Sequence, residues 1–124
     1  MSVLMKVKHA IKSMPAFRVA CERLGLRLSE KGTHKVWSRD AQGYAVKLRG
    51  WQYPVVVDDV SGGMIYDNHR GGWGAIEELD ALMQAYSVAV LEEDARANGH
   101  VLEQSVDPQT GDIVIDVVLA GSEF

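Results

Sequence analysis

Several things are missing from this chain of 124 residues, and each absence closes a route. It has a single cysteine, Cys21, so no disulfide forms within it and nothing in it calls for an oxidising compartment. No apolar run approaches the roughly 20 residues needed to cross a bilayer. The N-terminus MSVLMKVKHAI alternates polar with apolar residues, unlike a signal peptide, so a cytoplasmic location with no membrane association is expected. There is no internal repeat, no glycine loop with its phosphate-binding lysine, no paired-cysteine metal motif and no nucleophile elbow. The second half is also poor in cations: residues 51–124 contain Arg70 and Arg96 against 14 acids.

The remaining cations are concentrated at the other end. Residues 1–50 hold 11 Lys/Arg against three acids, Glu22, Glu30 and Asp40, so the overall charge of −4 conceals two halves of opposite sign. Such a division favours an anionic partner on the basic side. It is equally satisfied if the basic strands lie beside the acidic helix and neutralise it internally, in surface pairs worth little each. With 47% hydrophobic and 24% charged residues, the composition is that of one globular domain with one core.

Val3, Met5, Val7, His9 and Ile11 alternate with Lys6 and Lys8, which predicts a half-buried first strand. Ser13 is placed to cap a helix with Pro15 in its first turn. Phe17, Ala20, Cys21 and Leu24 form its inner stripe and Gly25 ends it. Strands are expected over Leu26–Glu30, Thr33–Arg39 and Gly43–Arg49, with turns at Lys31-Gly32 and Asp40–Gly43. A bend over Gly50–Pro54, a strand in PVVVDDV, a return arm in MIYD and the loop NHRGGWG (68–74) follow. Residues 75–98 then carry the clearest pattern in the sequence, a long helix whose core stripe is read as Ile76, Leu79, Met83, Tyr86 and Val90. A hairpin from His100 through the turn at Asp107–Gly111 to Leu119 closes the chain. The fold class expected is α+β: a two-layer sandwich of a mostly antiparallel sheet with two helices on one face, of ferredoxin-like character.

Three surfaces attract attention. Opposite the core stripe of the long helix, Ala81, Ala85, Val88, Leu91 and Ala95 form a second small or apolar band, suited to a protein partner or to self-association. Alanine is also simply a good helix former, which leaves Val88 and Leu91 as the residues needing explanation. In the basic half, Lys35, Trp37, Arg39, Lys47 and Arg49 are expected on one exposed sheet face, where cations and an aromatic ring can hold single-stranded nucleic acid. In the loop 68–74, Arg70 and Trp73 precede a helix N-terminus and offer an anion site, while the glycines equally serve turn geometry and Trp73 covers the end of the core. His9, His34, His69 and His100 sit on separate elements, so metal ligation with Asp58 or Asp59 would need the fold to gather them. No catalytic residue, metal or cofactor is assigned.

The segment IEELDALMQAYSVAVLEEDARANGHVLEQ and the closing strand resemble a family of small uncharacterised proteins from plastid, cyanobacterial and other bacterial genomes, of the hypothetical chloroplast reading-frame type. The resemblance spans about residues 1–119. It is strongest from Ile76 to Val118, where Tyr86, the segment Glu92–Ala95 and Gly99 carry it, and weakest over 50–74. The family is a domain of unknown function, so the resemblance implies the layout and transfers no activity. The functional expectation is therefore a non-enzymatic interaction module working through the long helix, with single-stranded nucleic-acid binding by the basic face as the alternative.

Overall fold

The computed structural model describes residues 4–99, 101–106 and 108–118. His100, Asp107 and Leu119, expected in the closing hairpin, lie outside the described residues. In chain order the elements are β1 (Met5–Val7), α1 (Met14–Arg23), β2 (Gly32–Val36), β3 (Arg39–Val46), β4 (Val55–Val57), β5 (Met64–Tyr66), α2 (Ile76–Ala97), β6 (Val101–Val106) and β7 (Ile113–Val118). Strands β1 to β5 form an antiparallel sheet in the order β1-β5-β4-β3-β2, whereas β6 and β7 pair with each other as a separate two-stranded sheet. This is an α+β fold, and no helix among the described residues is long and apolar enough to cross a membrane.

The two helices form where the sequence places them. Ser13 holds an extended backbone and its Oγ accepts a hydrogen bond from the Ala16 N–H at 3.2 Å, with Pro15 in the first turn of α1. Tyr86 of α2 ties the helices together: its hydroxyl oxygen accepts from the backbone N–H of Lys12 at 2.7 Å and of Ser13 at 3.2 Å. Phe17, Ala20 and Cys21 of α1 and Leu79, Leu82, Tyr86 and Ala89 of α2 pack into one core with Val46, Val55, Val57, Met64 and Tyr66 of the sheet. The stripe read from the sequence needs turning. Leu82 and Ala89 are buried, while Ile76, in the first turn, is 39% exposed. Because α2 packs on α1 as well as on the sheet, its buried arc is broader than one narrow stripe.

The strands depart further from expectation. Leu26–Glu30 contributes a single bridge, Leu28 opposite Val46. Strand β1 is short and lies at the sheet margin, so Met5 and Val7 are exposed rather than half-buried. The turn expected at Asp40–Gly43 does not exist: β3 runs straight through it, and the chain reverses at Trp37-Ser38 instead. Val36 and Arg39 are paired across that two-residue connection, with Trp37 at φ +56. Such tight hairpins need a positive φ, normally supplied by glycine or asparagine.

Gly43 has a different task. Residues 39–43 of β3 pair with β2, and residues 44–46 pair with β4, so Gly43 marks the change of partner. Its φ is +145, and a Cβ built there would lie 2.2 Å from the Val57 carbonyl oxygen. Beyond this point the β2–β3 hairpin curls over the sheet face away from the helices. There Val36 and Ala41 pack on Ala45 and Val56, with Leu4 and Ile65 at the margin, as a second small core.

Candidate functional site

The curl carries the hairpin tip across the molecule to the loops that follow β3 and β5, and four aromatic rings meet at that corner. Trp37, from the hairpin tip, lies 5.2 Å from Trp73 and 6.1 Å from Tyr53, centroid to centroid. Tyr53 meets Trp73 edge-on at 5.3 Å, and His69 stacks on Trp73 at 4.5 Å with the planes inclined by 22°. Trp37 is 44% exposed, and the other three rings are half-buried.

Each ring is held by backbone as well as by its neighbours. The Gln52 N–H donates to the Trp73 carbonyl at 2.8 Å, joining the loop of Tyr53 to the loop of Trp73. Behind them Trp51 is fully buried: its Nε1 donates to the Ala75 carbonyl at 2.9 Å, and its ring lies so close to Gly74 that a Cβ there would come within 2.4 Å of it. The Asn68 side chain donates to the Gly74 carbonyl at 3.2 Å, and the Asp67 carboxylate accepts from the His69 N–H at 2.9 Å. Trp37, His69 and Arg70 all have positive φ, at +56, +50 and +52. Non-glycine residues take that conformation at a cost, and it recurs where a side chain must be aimed.

Several cations lie close in the chain to the residues of this corner. Arg39 follows the hairpin tip, Arg70 adjoins His69, and Lys47 and Arg49 run from the end of β3 towards the loop of Tyr53; all four are exposed and none forms an ion pair among the described residues. By contrast, the described ion pairs, Arg23 with Glu92 and Lys31 with Asp59 at 2.8 Å, each join a cation of the basic half to an acid of the acidic half. Internal neutralisation therefore operates beside α2 and at the β4–β5 turn, and among the described residues it does not reach the cations of the aromatic corner.

The residues singled out from the sequence are thus redistributed. Trp37 belongs to a turn, so Lys35, Trp37, Arg39, Lys47 and Arg49 do not share one flat strand face; the curl brings Trp37 and Arg39 to Trp73 and Arg70, two groups the sequence kept apart. Lys35 lies on the curled hairpin, in register with Asp40. Trp73 does not close the main core, a role that falls to Trp51. On α2, Val88 is 7% exposed, Ala95 is also buried and Ala85 packs against the core. The band opposite the core stripe is therefore covered within the chain at these positions, and Ala81 and Leu91 remain exposed. Among the described residues, no three His, Cys, Asp or Glu side chains come together as a metal site. Tyr53 and His69, the two rings outside the predicted set, carry no local pattern that marks them: only the fold gathers them. The chain matches no protein-family model, no curated protein and no solved structure, so the geometry of this corner is what a functional reading has to rest on.

Proposed function

We propose that this protein binds single-stranded nucleic acid at the aromatic corner, with bases stacking on Trp37 and its neighbours and phosphates held by Arg39, Lys47, Arg49 and Arg70. The observation that carries the reading is an exposed indole in a four-ring cluster, with Arg39 lining a pocket beside it and Arg70 next to His69, neither of them ion-paired among the described residues. Every base has a π-face, so such a platform tolerates sequence and draws about 1–3 kcal/mol per stacked base. Cations around it supply the salt-sensitive part of the affinity.

The test is titration of a labelled single strand of about 12 nucleotides, within the site size of one small domain, across a series of salt concentrations. Binding should weaken linearly in log salt, and Arg39→Glu with Arg49→Glu should flatten that slope. Trp37→Ala should weaken binding by about tenfold at fixed salt, in the lower part of the stacking range. Absence of binding at low salt, or affinity indifferent to Trp37→Ala, would overturn the proposal.

A second reading places a protein partner, or a second copy of the chain, on α2. Its support is Leu91, a large apolar side chain exposed on a helix whose neighbouring Glu92 is ion-paired. Sedimentation of wild type and Leu91→Glu over a range of concentrations decides the self-association form: a concentration-dependent mass that the substitution abolishes supports it, and two identical monomeric profiles remove it.

A further inference from the structure

Beneath the Trp37 indole is a small pocket, about 210 Å³, lined by Leu4, Val36, Trp37, Ser38, Arg39 and Asp67. Asp67 is 2% exposed, a carboxylate almost wholly withdrawn from water. Its Oδ1 accepts from the His69 N–H at 2.9 Å. Arg39 lines the same pocket without forming an ion pair with it, and Oδ2, to which no described residue donates, keeps its contact with water. An acid buried this deeply normally collects several donors, because a carboxylate has about four acceptor positions and their desolvation is costly. Here the protein supplies one donor, and the second oxygen of this pocket-lining acid is left to water or to a ligand.

We propose that this pocket reads the edge of a nucleobase, and that the base is guanine; the inference rests on the nucleic-acid reading of the aromatic corner. A bare anion is disfavoured by Asp67 at the floor, and a bare cation by Arg39 at the rim. The complementary ligand offers N–H donors inwards, a flat face to the indole and negative charge outwards. Guanine does so through N1–H and the N2 amino group, two adjacent donors that match the two oxygens of a carboxylate, with its phosphate directed to Arg39. The other bases fit worse. Adenine sets one amino donor beside the N1 acceptor, cytosine one amino donor beside N3, and uracil a single N–H between two carbonyls, so each turns at least one lone pair towards Asp67. Base-specific reading of single strands by their hydrogen-bonding edges, combined with stacking on an aromatic face, is how such strands are generally recognised.

The test uses uridine-rich single strands carrying one central guanine, inosine or adenine. Inosine keeps N1–H and lacks the N2 amino group, so it removes one donor without changing the protein. Guanine should bind at least about fivefold more tightly than adenine, the lower end of what a bidentate contact contributes, with inosine between them. Asp67→Asn preserves an oxygen for the His69 N–H and should abolish the preference for guanine over inosine and adenine. Equal affinity for all three strands would overturn the guanine assignment and leave the stacking reading standing. Failure to bind any strand, an all-uridine one included, would overturn both. If Asp67→Asn does not fold, which circular dichroism reports, the comparison of guanine with inosine on the wild type decides the matter alone.

Discussion

The indoles of Trp37 and Trp73 lie 5.2 Å apart, yet one caps a hairpin at positive φ and the other ends the loop that leads into α2. Their contact balances two opposing terms. A left-handed conformation costs a non-glycine residue about 1–2 kcal/mol, while each aromatic pair contributes about 0.5–1.5 kcal/mol beyond area burial, and Trp37 makes two such pairs. Trp37→Gly should therefore relieve the backbone and lose the rings, leaving stability within about 1 kcal/mol of wild type, whereas Trp37→Ala loses the rings and keeps the strain. Thermal melts should rank wild type and Trp37→Gly close together and Trp37→Ala lowest. Both substitutions should weaken single-strand binding equally. A Trp37→Gly protein that binds like wild type would show that the indole serves its contacts with Tyr53 and Trp73 and not a ligand.

Gly43 and Gly25 separate two uses of glycine. Both have positive φ, but a Cβ at Gly25 meets nothing within 4 Å, while one at Gly43 meets the Val57 carbonyl oxygen at 2.2 Å. Gly25→Ala should cost about 1 kcal/mol, the conformational penalty alone. Gly43→Ala adds a clash with backbone that is itself paired in the sheet, and should cost more than about 2 kcal/mol. Denaturant unfolding gives both values. Because Gly43 is where the hairpin leaves the plane of the sheet, partial tolerance with loss of single-strand binding would indicate that the curl had opened while the main core survived.

How far these features can be read from the sequence follows from what each depends on. Helix α1 is legible because its signals are local: a capping serine, a proline in the first turn, a glycine at the end. Helix α2 is legible from its period, though its buried arc also depends on α1, which no pattern within residues 76–97 specifies. The hairpin tip is not legible. Asp40–Gly43 has the composition of a turn and forms strand, while Trp37, a strand-favouring residue, takes a left-handed conformation that contacts with Tyr53 and Trp73 must stabilise. Since that turn aims the exposed indole, the sequence names Trp37 and Arg39 in one group and Arg70 and Trp73 in another but not their meeting, nor the part of Tyr53 and His69 in the cluster. The preference of Trp51 for the core was equally hidden, because its partners Gly74, Ala75 and Tyr66 lie in later parts of the chain.

Tyr86 offers a test of how α1 is anchored. Its hydroxyl receives two backbone N–H groups, from Lys12 and Ser13, just before the helix begins. Tyr86→Phe keeps the edge-to-face packing on Phe17, at 6.1 Å, and leaves those donors without their acceptor. Stranding part-buried donors should cost about 1–3 kcal/mol. Ser13→Ala removes the cap of α1 and the hydrogen bond to Glu93, with a cost of about 0.5–2 kcal/mol from the cap. Since Ser13 takes part in both arrangements, the double substitution should cost less or more than the sum of the two by at least about 0.5 kcal/mol, as coupled neighbours do. Strict additivity would show the two anchors to be independent.

Cys21 sets an alkaline limit on stability. Burial pushes its thiol up from the ordinary 9.0 to about 11, the nearby Arg18 opposing the shift and Glu22 adding to it. A group whose pKa is raised on folding keeps its proton longer in the native state than in the unfolded chain. Its contribution is therefore fully present below pH 9 and is lost as the pH rises towards about 11. Between those values the unfolded thiol ionises and the native one does not, so the slope of stability against pH steepens by up to about 1.4 kcal/mol per unit. Lysines and tyrosines titrate in the same range, which makes the comparison with Cys21→Ala the informative one: the variant starts lower through lost packing and should decline less steeply between pH 9 and 11. The same burial predicts that an aromatic disulfide reagent at pH 8 labels the thiol at the rate of unfolding rather than at the rate of a free thiol. Immediate labelling of the native protein would place Cys21 at the surface and remove the basis for the alkaline slope.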